Sequence, residues 1–334
     1  MLSKFNIESF SQRIFKASSA QEFNALALEL FHFQYQHNRV YREYLSHLRV
    51  LPEEISEYIN IPFLPISFFK SHMLKTGEFE EEIIFSSSGT SGMQSSKQYV
   101  RDLKLYSESF NNGFKHFYGD PESYVFLGLL PSYLERKGSS LVYMVKEFIE
   151  GGKHEESGFF LDEHERLANT LRSISKLDKP TILIGVSYAL LDFADQFGFP
   201  LGDHIIIMET GGMKGRREEI TREELHRSLS RGFHKELIHS EYGMTELLSQ
   251  AYSKGNGRFV APSWMKILIR DIQDPFTYLP TGQSGAINII DLANIHSCGF
   301  IETQDIGRLH PDGSFEVLGR TDASDIRGCS LMIG

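Results

Sequence analysis

The sequence predicts an α/β protein: a large domain of parallel strands flanked by helices, followed by a small β-subdomain. Two observations support this class. In the middle of the chain, short apolar runs alternate with helical segments, and the runs are apolar on both faces, as in a buried parallel sheet. From about residue 263 the runs are instead joined in the manner of antiparallel hairpins.

The first 75 residues are predicted to be a helical segment packed on the core. From about Asn6 to Leu48 the pattern is helical, and Ser18 or Ser19 is the expected N-cap of the main helix. The segment is dense in aromatic residues, which favour a packed helical cap; an aromatic acyl pocket is the alternative. The next stretch, "INIPFLPISFFK", contains two prolines and is predicted to be an extended connector.

Residues 76–262 are predicted to form the α/β core. The predicted strands are β-rich runs bounded by Gly or Pro: "SYVFLGLL", "TILIGVS", "HIIIMETGG" and "ELIHSEYG". The predicted helices that separate them include "DEHERLANTLRSISKL" and "TREELHRSLSRGF". Residues 263–334 are predicted to be a β-rich subdomain with a C-terminal tail. Its strands are "MKILIRDI", "GAINIIDL" and the two arms of "GRLHPDGSFEVLGR", which a Pro-Asp-Gly turn joins.

The bulk composition excludes several classes of protein. The 334 residues are 41% hydrophobic and 23% charged, as in globular proteins, and a net charge of −10 disfavours a general nucleic-acid binder. No run approaches the roughly 18–20 apolar residues of a membrane span, and the N-terminus lacks the pattern of a signal peptide. The two cysteines, Cys298 and Cys329, fit free thiols in a reducing compartment. We therefore expect a soluble, cytoplasmic protein.

A loop rich in serine and glycine lies in "FSSSGTSGMQSSKQYV", residues 85–100. Its composition suits a flexible linker, and it equally suits a loop that holds phosphate groups with backbone N–H groups and hydroxyls. Its candidate phosphate ligands are Ser87, Ser88, Gly89, Thr90, Ser91, Gly92 and Lys97.

Further candidates follow two predicted strands of the core. Ligands of open α/β sheets bind beyond the carboxyl ends of the strands. Gly211 and Gly212 end one strand and would let a ligand approach the backbone. The next strand ends in "HSEYGMTE", where Tyr242 could stack on adenine and Thr245 could bond a phosphate. Glu246 could hold Mg²⁺ between phosphates.

Two more candidates lie in the β-rich subdomain. Asp305, in "TQDIGRL", is a natural acceptor for a ribose diol, and Arg320, in "GRTD", is a forked donor to ribose or phosphate oxygens. Taken alone, such a pair on a hairpin more often forms a surface ion pair.

Together and in this order, these motifs resemble those of the adenylate-forming enzymes, which include acyl-CoA synthetases, adenylation domains and firefly-type luciferases. The matching motifs are "SSGTSGMQSSK", Tyr242–Glu246, Thr303–Asp305 and Gly319–Asp322, and the resemblance runs from about Phe85 to Gly328. It implies that the serine-rich loop wraps the β- and γ-phosphates of ATP and that Lys97 adds a charge. It also implies ATP and Mg²⁺ as cofactors, catalytic roles for Thr245 and Glu246, and places for Glu241 and Gly243 in the nucleotide site.

Within this superfamily the chain looks most like the LuxE-like acyl-protein synthetases. The stretches that carry this resemblance are "IPFLPISFFKSHML", "METGGMKGR" and "RGCSLM". It implies that the chain activates a fatty acid as acyl-AMP and transfers the acyl group to a cysteine, for which Cys329 is the match; a chance tail thiol is the alternative. Cys298 is predicted to be a small buried residue, and His239 and His296 to be structural hydrogen-bonding groups.

The chain departs from the family pattern at three points. The serine-rich loop lacks a proline before Lys97 and is longer than usual, which leaves the role of this lysine open. Gln304 replaces a glycine. The chain ends soon after Gly328, without the small mobile domain and catalytic lysine of most members.

Three hypotheses follow. The first is an acyl-protein synthetase that passes the acyl group to its own Cys329, to CoA or to a carrier or reductase protein. The second is an aryl- or acyl-CoA ligase of the phenylacetate type. The third is a non-catalytic nucleotide-binding relative.

Overall fold

The structure is a computed structural model that describes residues 5–87, 94–130, 138–213, 216–218 and 220–321. Its α-helices are α1 (Ile7–Ile14), α2 (Ala20–His37), α3 (Arg39–His47), α4 (Phe68–Ser71), α5 (Leu103–Tyr118), α6 (Ser140–Gly152), α7 (His164–Ile174), α8 (Ser187–Phe197) and α9 (Arg222–Phe233). Its strands are β1 (Leu64–Pro65), β2 (Ile83–Ser86), β3 (Lys97–Val100), β4 (Val125–Leu129), β5 (Gly158–Phe159), β6 (Thr181–Val186), β7 (Ile205–Thr210), β8 (His239–Tyr242), β9 (Ala251–Ser253), β10 (Met265–Arg270), β11 (Ser284–Asp291), β12 (Phe300–Leu309) and β13 (Phe315–Arg320).

The described chain forms two compact units. The first takes in the residues before Glu80 together with those after Pro262, and the second is Glu80–Pro262. The N-terminal helices and the C-terminal strands therefore share one unit. The division into segments at residues 75/76 and 262/263 stays a prediction about domains.

The first unit contains a five-stranded sheet. Its order is β1-β12-β11-β10, and β13 pairs with β12. The strands β10 to β13 are antiparallel, as predicted, and Gly313 in the Pro-Asp-Gly turn has φ +82°. The predicted connector "INIPFLPISFFK" contributes β1, which pairs in parallel with the start of β12 through Leu64 and Ile301. Only Leu64–Pro65 of this stretch join the sheet, and its last residues begin the short helix α4.

Buried amides hold the N-terminal helices on the C-terminal part of this unit. Gln34 Nε2 donates to the carbonyl of Asn294 at 2.8 Å, and its Oε1 accepts the N–H of Gly299 at 3.0 Å. Asn38 Nδ2 donates to the carbonyl of Ser297 at 3.0 Å. All these groups are buried, so each bond satisfies an atom that would otherwise be costly to remove from water.

Local signals in the N-terminal segment are confirmed. Ser19 is the N-cap of α2 and forms a capping box with Glu22. The rings of Phe31 and Tyr41 are fully buried and lie 6.2 Å from the ring of Phe300. These aromatic side chains form the core between the helices and the sheet.

The second unit is built on a six-stranded sheet with the order β5-β4-β6-β7-β8-β9. The neighbouring strands β5, β4, β6, β7 and β8 all run parallel to one another. The edge strand β9 is antiparallel to β8. Every residue of β4 and β6 is buried, which explains why these strands are apolar throughout. The predicted parallel sheet is confirmed. None of the helices in the described ranges combines the length and apolar character needed to cross a membrane.

Candidate functional site

Two neighbouring parallel strands of the second unit end together. Register pairs Thr210, the last residue of β7, with Glu241 near the end of β8. Gly211 follows β7 with φ +72°, in the left-handed region that favours glycine, and a Cβ added to Gly212 would meet nothing within 4 Å. The backbone of this turn is therefore open to a ligand at the carboxyl edge of the sheet.

The predicted motif after β8 lies at the same edge. Tyr242 is buried, and its ring lies 5.8 Å from that of Phe259. Gly243 is exposed, Thr245 is half-buried and Glu246 is buried. Because β7 and β8 are paired, the structure brings this motif beside Gly211 and Gly212.

Glu241 is a buried carboxyl group within this edge. The Thr210 hydroxyl donates a hydrogen bond to its Oε2. Burial raises the pKa of Glu241 to about 7; the Thr210 bond opposes this shift and the nearby negative charge of Glu209 adds to it. At neutral pH this group therefore exists in both its neutral and its ionised form.

Glu209, on the adjacent strand, is a buried carboxylate with several partners. Ser187 Oγ donates to its Oε2 at 3.1 Å, and Arg222 Nε donates to its Oε1 at 3.2 Å. His226 Nε2 lies 3.4 Å from the same oxygen. Burial raises the pKa of Glu209, but the bonds from His226 and Ser240 and the charge of Arg222 outweigh it, so the pKa is lowered overall.

Sequence reasoning missed this cluster of Glu209, Ser187, Arg222 and His226. One signal was available, because Glu209 interrupts the apolar run "HIIIMETGG" two residues before the first of its glycines. Ser187 Oγ also lies 3.3 Å from the carbonyl of Gly211, so the cluster fixes the start of the turn.

The hairpin of β2 and β3 carries the serine-rich loop. Ser86 pairs with Lys97, and Ser87 closes the mouth of the loop, with its Oγ accepting the N–H of Ser96 at 2.8 Å. Lys97 is exposed. The predicted phosphate ligands Ser88, Gly89, Thr90, Ser91 and Gly92 lie outside the described residues.

Aromatic packing links this hairpin to the end of β8. The ring of Phe85, in β2, lies 5.3 Å from the ring of Tyr106 in α5. In the same helix, the hydroxyl of Ser109 lies 3.1 Å from that of Ser249, which follows β8 in the chain. The base of the hairpin is therefore near the edge where β7 and β8 end.

In the first unit, Asp305 and Arg320 face each other across β12 and β13. They are register partners, and Arg320 Nε lies 3.0 Å from Asp305 Oδ1. Asp305 is buried, whereas the Arg320 side chain is 65% exposed. The backbone N–H of Asp305 donates to Thr303 Oγ1 at 3.1 Å, which fixes the strand at this point. The two predicted residues thus form an ion pair with one buried partner.

Comparisons with known proteins place this geometry in a known fold. The structure matches 2-hydroxyisobutyryl-CoA ligase, in complex with 2-HIB-AMP and CoA, with a TM-score of 0.68 and 9% identity, over 91% of this chain and 70% of that one. It also matches ATP-bound MatB from Rhodopseudomonas palustris with a TM-score of 0.53 and 16% identity, over 73% of this chain. The chain has the fold of the adenylate-forming enzymes. It spans about half of the MatB chain, 49%.

Sequence comparisons confirm the predicted resemblance to acyl-protein synthetases. Residues 6–109 match the family described as "Acyl-protein synthetase, LuxE". The long-chain-fatty-acid–luciferin-component ligase of Vibrio harveyi is 27% identical over 324 residues, which are 90% of this chain and 84% of that protein. The corresponding ligase of Photorhabdus luminescens is 40% identical over 78 residues, 23% of this chain and 65% of that protein.

The buried cysteine and a half-buried histidine behave as the sequence predicts. Cys298 is fully buried, as predicted, and burial raises the pKa of its thiol to about 12. Cys329 lies outside the described residues. The predicted structural histidine His239 is hydrogen-bonded through Nδ1 to the Tyr118 hydroxyl at 3.1 Å, and burial lowers its pKa to about 4. His239 is therefore neutral at pH 7.

Proposed function

We propose that this chain uses ATP to activate an acyl carboxylate as acyl-AMP and then passes the acyl group to a thiol. One observation carries the proposal. The pairing of β7 with β8 brings the Gly211–Gly212 turn and the motif from Tyr242 to Glu246 to one edge of a parallel sheet, in an adenylate-forming fold. The similarity to a long-chain fatty-acid ligase over 90% of the chain supports a fatty acyl substrate.

Each candidate residue then has a role. Tyr242 would stack on the adenine, and the open backbone at Gly211 and Gly212 would admit the ligand beside it. The Thr245 hydroxyl would donate to a phosphate oxygen. Asp305 would accept from the ribose hydroxyls, with its carboxylate oriented by Arg320.

The residues present fit a Mg²⁺ ion that is shared with the nucleotide. In the described parts of the chain, no three His, Cys, Asp or Glu side chains come together in a group able to hold a metal ion. Mg²⁺ commonly binds through one or two carboxylates together with substrate phosphates. Glu246 would supply such a carboxylate, and the ion would neutralise phosphate charge when it is bound.

The first step needs no general base. The acyl carboxylate is already an anion, and one of its oxygens attacks the α-phosphorus of ATP as the bond to pyrophosphate breaks. Donors such as the Thr245 hydroxyl, and the serine-rich loop with Lys97, would stabilise the charge on the phosphates.

In the second step a thiolate attacks the acyl carbonyl and releases AMP. The acceptor would be Cys329, CoA or the thiol of a carrier or reductase protein. Cys298 is unsuited to this role, because a thiol with a pKa of about 12 is almost entirely protonated at pH 7 and this one is fully buried. The cytoplasmic location predicted from the cysteines stays a prediction.

ATP–pyrophosphate exchange tests the first step across fatty, aromatic and hydroxy acids. Exchange with an acid supports acyl activation. Absence of exchange with every acid, in a protein that AMP still stabilises against heat, would favour the non-catalytic relative instead.

Intact-mass spectrometry tests the acceptor. After incubation with ATP, Mg²⁺ and an active acid, we expect one acyl adduct that neutral hydroxylamine releases. Cys329→Ser should abolish the adduct and leave exchange intact, whereas the matched variant Cys298→Ser should retain it. A thioester formed on added CoA instead, with no adduct on the protein, would support the CoA ligase.

A further inference from the structure

One face of the parallel sheet carries a group of packed side chains next to the proposed adenine site. Glu209 and Ser240 are register partners in β7 and β8. Tyr242 lies two residues after Ser240 and therefore points to the same face. The helix α9 places His226 on this face, with its Nε2 3.2 Å from Ser240 Oγ and 3.4 Å from Glu209 Oε1. The ring that is proposed to stack on adenine therefore shares a face with the buried Glu209 cluster.

A cation–π contact connects the Glu209 cluster with Tyr242. Arg222 Nε donates to Glu209 Oε1 at 3.2 Å. The guanidinium carbon of Arg222 lies 4.8 Å from the centre of the Phe259 ring. Phe259 is fully buried, and its ring centre lies 5.8 Å from that of Tyr242. A continuous series of contacts therefore leads from the carboxylate through Arg222 and Phe259 to Tyr242.

The same carboxylate also supports the glycine turn. Glu209 Oε2 accepts a hydrogen bond from the Ser187 hydroxyl at 3.1 Å. The Ser187 oxygen lies 3.3 Å from the carbonyl oxygen of Gly211, the first residue of the turn. Glu209 is therefore connected to both elements of the proposed adenine site. One connection runs through Ser187 to the turn, and the other runs through Arg222 to Tyr242.

Arg222 is held in place from two sides. Its side chain is 25% exposed, and the Glu209 side chain is 2% exposed. Breaking an ion pair with a buried partner is costly, because the remaining charge is left uncompensated. A guanidinium above an aromatic ring is also attracted to the face of that ring. The Arg222 guanidinium therefore restricts the movement of Phe259, against which the Tyr242 ring packs.

We propose that Arg222 is a positioning residue for adenine binding. Anchored by Glu209, its guanidinium holds Phe259, and Phe259 supports the Tyr242 ring on which the base stacks. This inference rests on the proposed function and adds residues that need not touch the nucleotide. A ring that is already held in its stacking position loses less conformational freedom when the base binds. Loss of this support weakens the contact with the base and leaves the binding of the acid and of the phosphates unaffected.

The kinetics of pyrophosphate exchange test this role. Arg222→Met removes the guanidinium and keeps an unbranched side chain. KM for ATP should rise about fivefold, while kcat and the KM for the acid change less than about twofold. Phe259→Leu removes the ring and leaves Arg222 and Glu209 in place, and it should raise KM for ATP to a similar extent. An unchanged KM for ATP in either variant would overturn the proposal.

Arg222→Lys extends the test to a variant that keeps the charge pair with Glu209. An ammonium group lacks the planar surface that a guanidinium packs on a ring, so the support of Phe259 should be partly lost. KM for ATP should rise about twofold, and this holds even if Arg222→Met does not fold. A KM for ATP equal to that of wild type would show that Phe259 does not depend on the guanidinium and would refute the assignment.

Arg172→Met is the matched control. The guanidinium carbon of Arg172 lies 5.0 Å from the centre of the Phe199 ring, so the substitution removes the same kind of contact. Arg172 lies in the last turn of α7 and Phe199 lies between α8 and β7, at the amino edge of the parallel sheet. The melting temperature should fall, whereas KM for ATP should not change. An equal rise of KM for ATP in Arg172→Met would identify a general packing effect in place of the positioning role.

Binding measurements separate this inference from the proposed function. AMP is compared with ribose 5-phosphate, which lacks the base, by competition calorimetry. Arg222→Met should weaken the binding of AMP about fivefold and leave that of ribose 5-phosphate unchanged. Equal losses of affinity for the two ligands would contradict a role in binding the base. These measurements need no turnover, so absence of exchange with every acid would refute the proposed function while the difference between the two ligands still tests Arg222.

Discussion

Glu241 should make the stability of the protein depend on pH. Burial, with a contribution from the charge of Glu209, raises the pKa of Glu241 to about 7, whereas the usual value is 4.5. Between these values the folded protein holds a proton that the unfolded chain has lost. The stabilisation is complete below pH 4.5 and is lost as the pH rises through 7. A difference of about 2.5 pKa units corresponds to about 3 kcal/mol in the free energy of unfolding.

Glu241→Gln removes this titration and keeps a side chain of similar shape. The free energy of unfolding of the variant minus that of wild type should therefore rise by about 3 kcal/mol between pH 4.5 and 8. Urea unfolding followed by circular dichroism at several pH values measures this difference. The variant comparison is necessary because His239, whose pKa is lowered to about 4 by burial and then by Lys254, changes stability in the opposite direction between pH 4 and 6.5.

Glu236→Gln is the matched control, since it removes the charge of an exposed glutamate three residues before His239. The free energy of unfolding of Glu236→Gln minus that of wild type should not change by more than a few tenths of a kcal/mol over the same pH range. If the curves of Glu241→Gln and wild type stay parallel from pH 4.5 to 8, Glu241 does not hold a proton in the folded state and the reasoning is refuted.

Three further outcomes are expected. Gly243→Ala should lower acid-dependent exchange at least tenfold, because the new Cβ would lie 2.4 Å from Glu241 Oε1 and displace this carboxyl group at the edge of the proposed site; unchanged exchange would show that activation does not depend on its position. Asp305→Ala should weaken AMP binding by about 1.5–3 kcal/mol, as measured by calorimetry, through loss of charged hydrogen bonds to the ribose; equal affinity would leave Asp305 as a structural partner of Arg320. Glu246→Gln should depress Mg²⁺-dependent exchange far more than AMP binding; full exchange would place the metal elsewhere.

Features with a local cause were predictable from the sequence. The strands of the parallel sheet are short apolar runs that end at glycine or proline, and each predicted run contains a strand. Ser19 caps α2 because a serine followed three residues later by a glutamate satisfies the first N–H groups of a helix. The Pro-Asp-Gly turn between β12 and β13 was predictable because Gly313 readily adopts positive φ.

Features with a distant partner were not predictable in this way. The strand β1 exists because it pairs with β12, from the other end of the chain, and nothing in its two residues specifies that partner. In the sequence, Gln34 and Asn38 are ordinary polar residues of a helical segment. In the structure they are buried and hydrogen-bonded to backbone groups of residues 294–299, which are distant in the chain. The same distinction applies to the candidate site, where some features follow from local sequence and others from contacts between distant residues. Motif positions at strand ends were foreseen, whereas the hydrogen-bond partners of Glu209 and Glu241 depend on strand register.

The two carboxyl groups under the site illustrate what register adds. Glu209 pairs with Ser240 and Glu241 pairs with Thr210, so the two side chains point to opposite faces of the sheet. On one face, α9 supplies Arg222 and His226, which keep Glu209 ionised. On the other face, burial favours the neutral form of Glu241 and outweighs the hydrogen bond that Thr210 donates to it, which favours the ionised form. A sheet buried on both faces accommodates adjacent acids only when their environments differ in this way. The charged face therefore anchors the Gly211 turn, and burial on the opposite face favours the neutral form of Glu241.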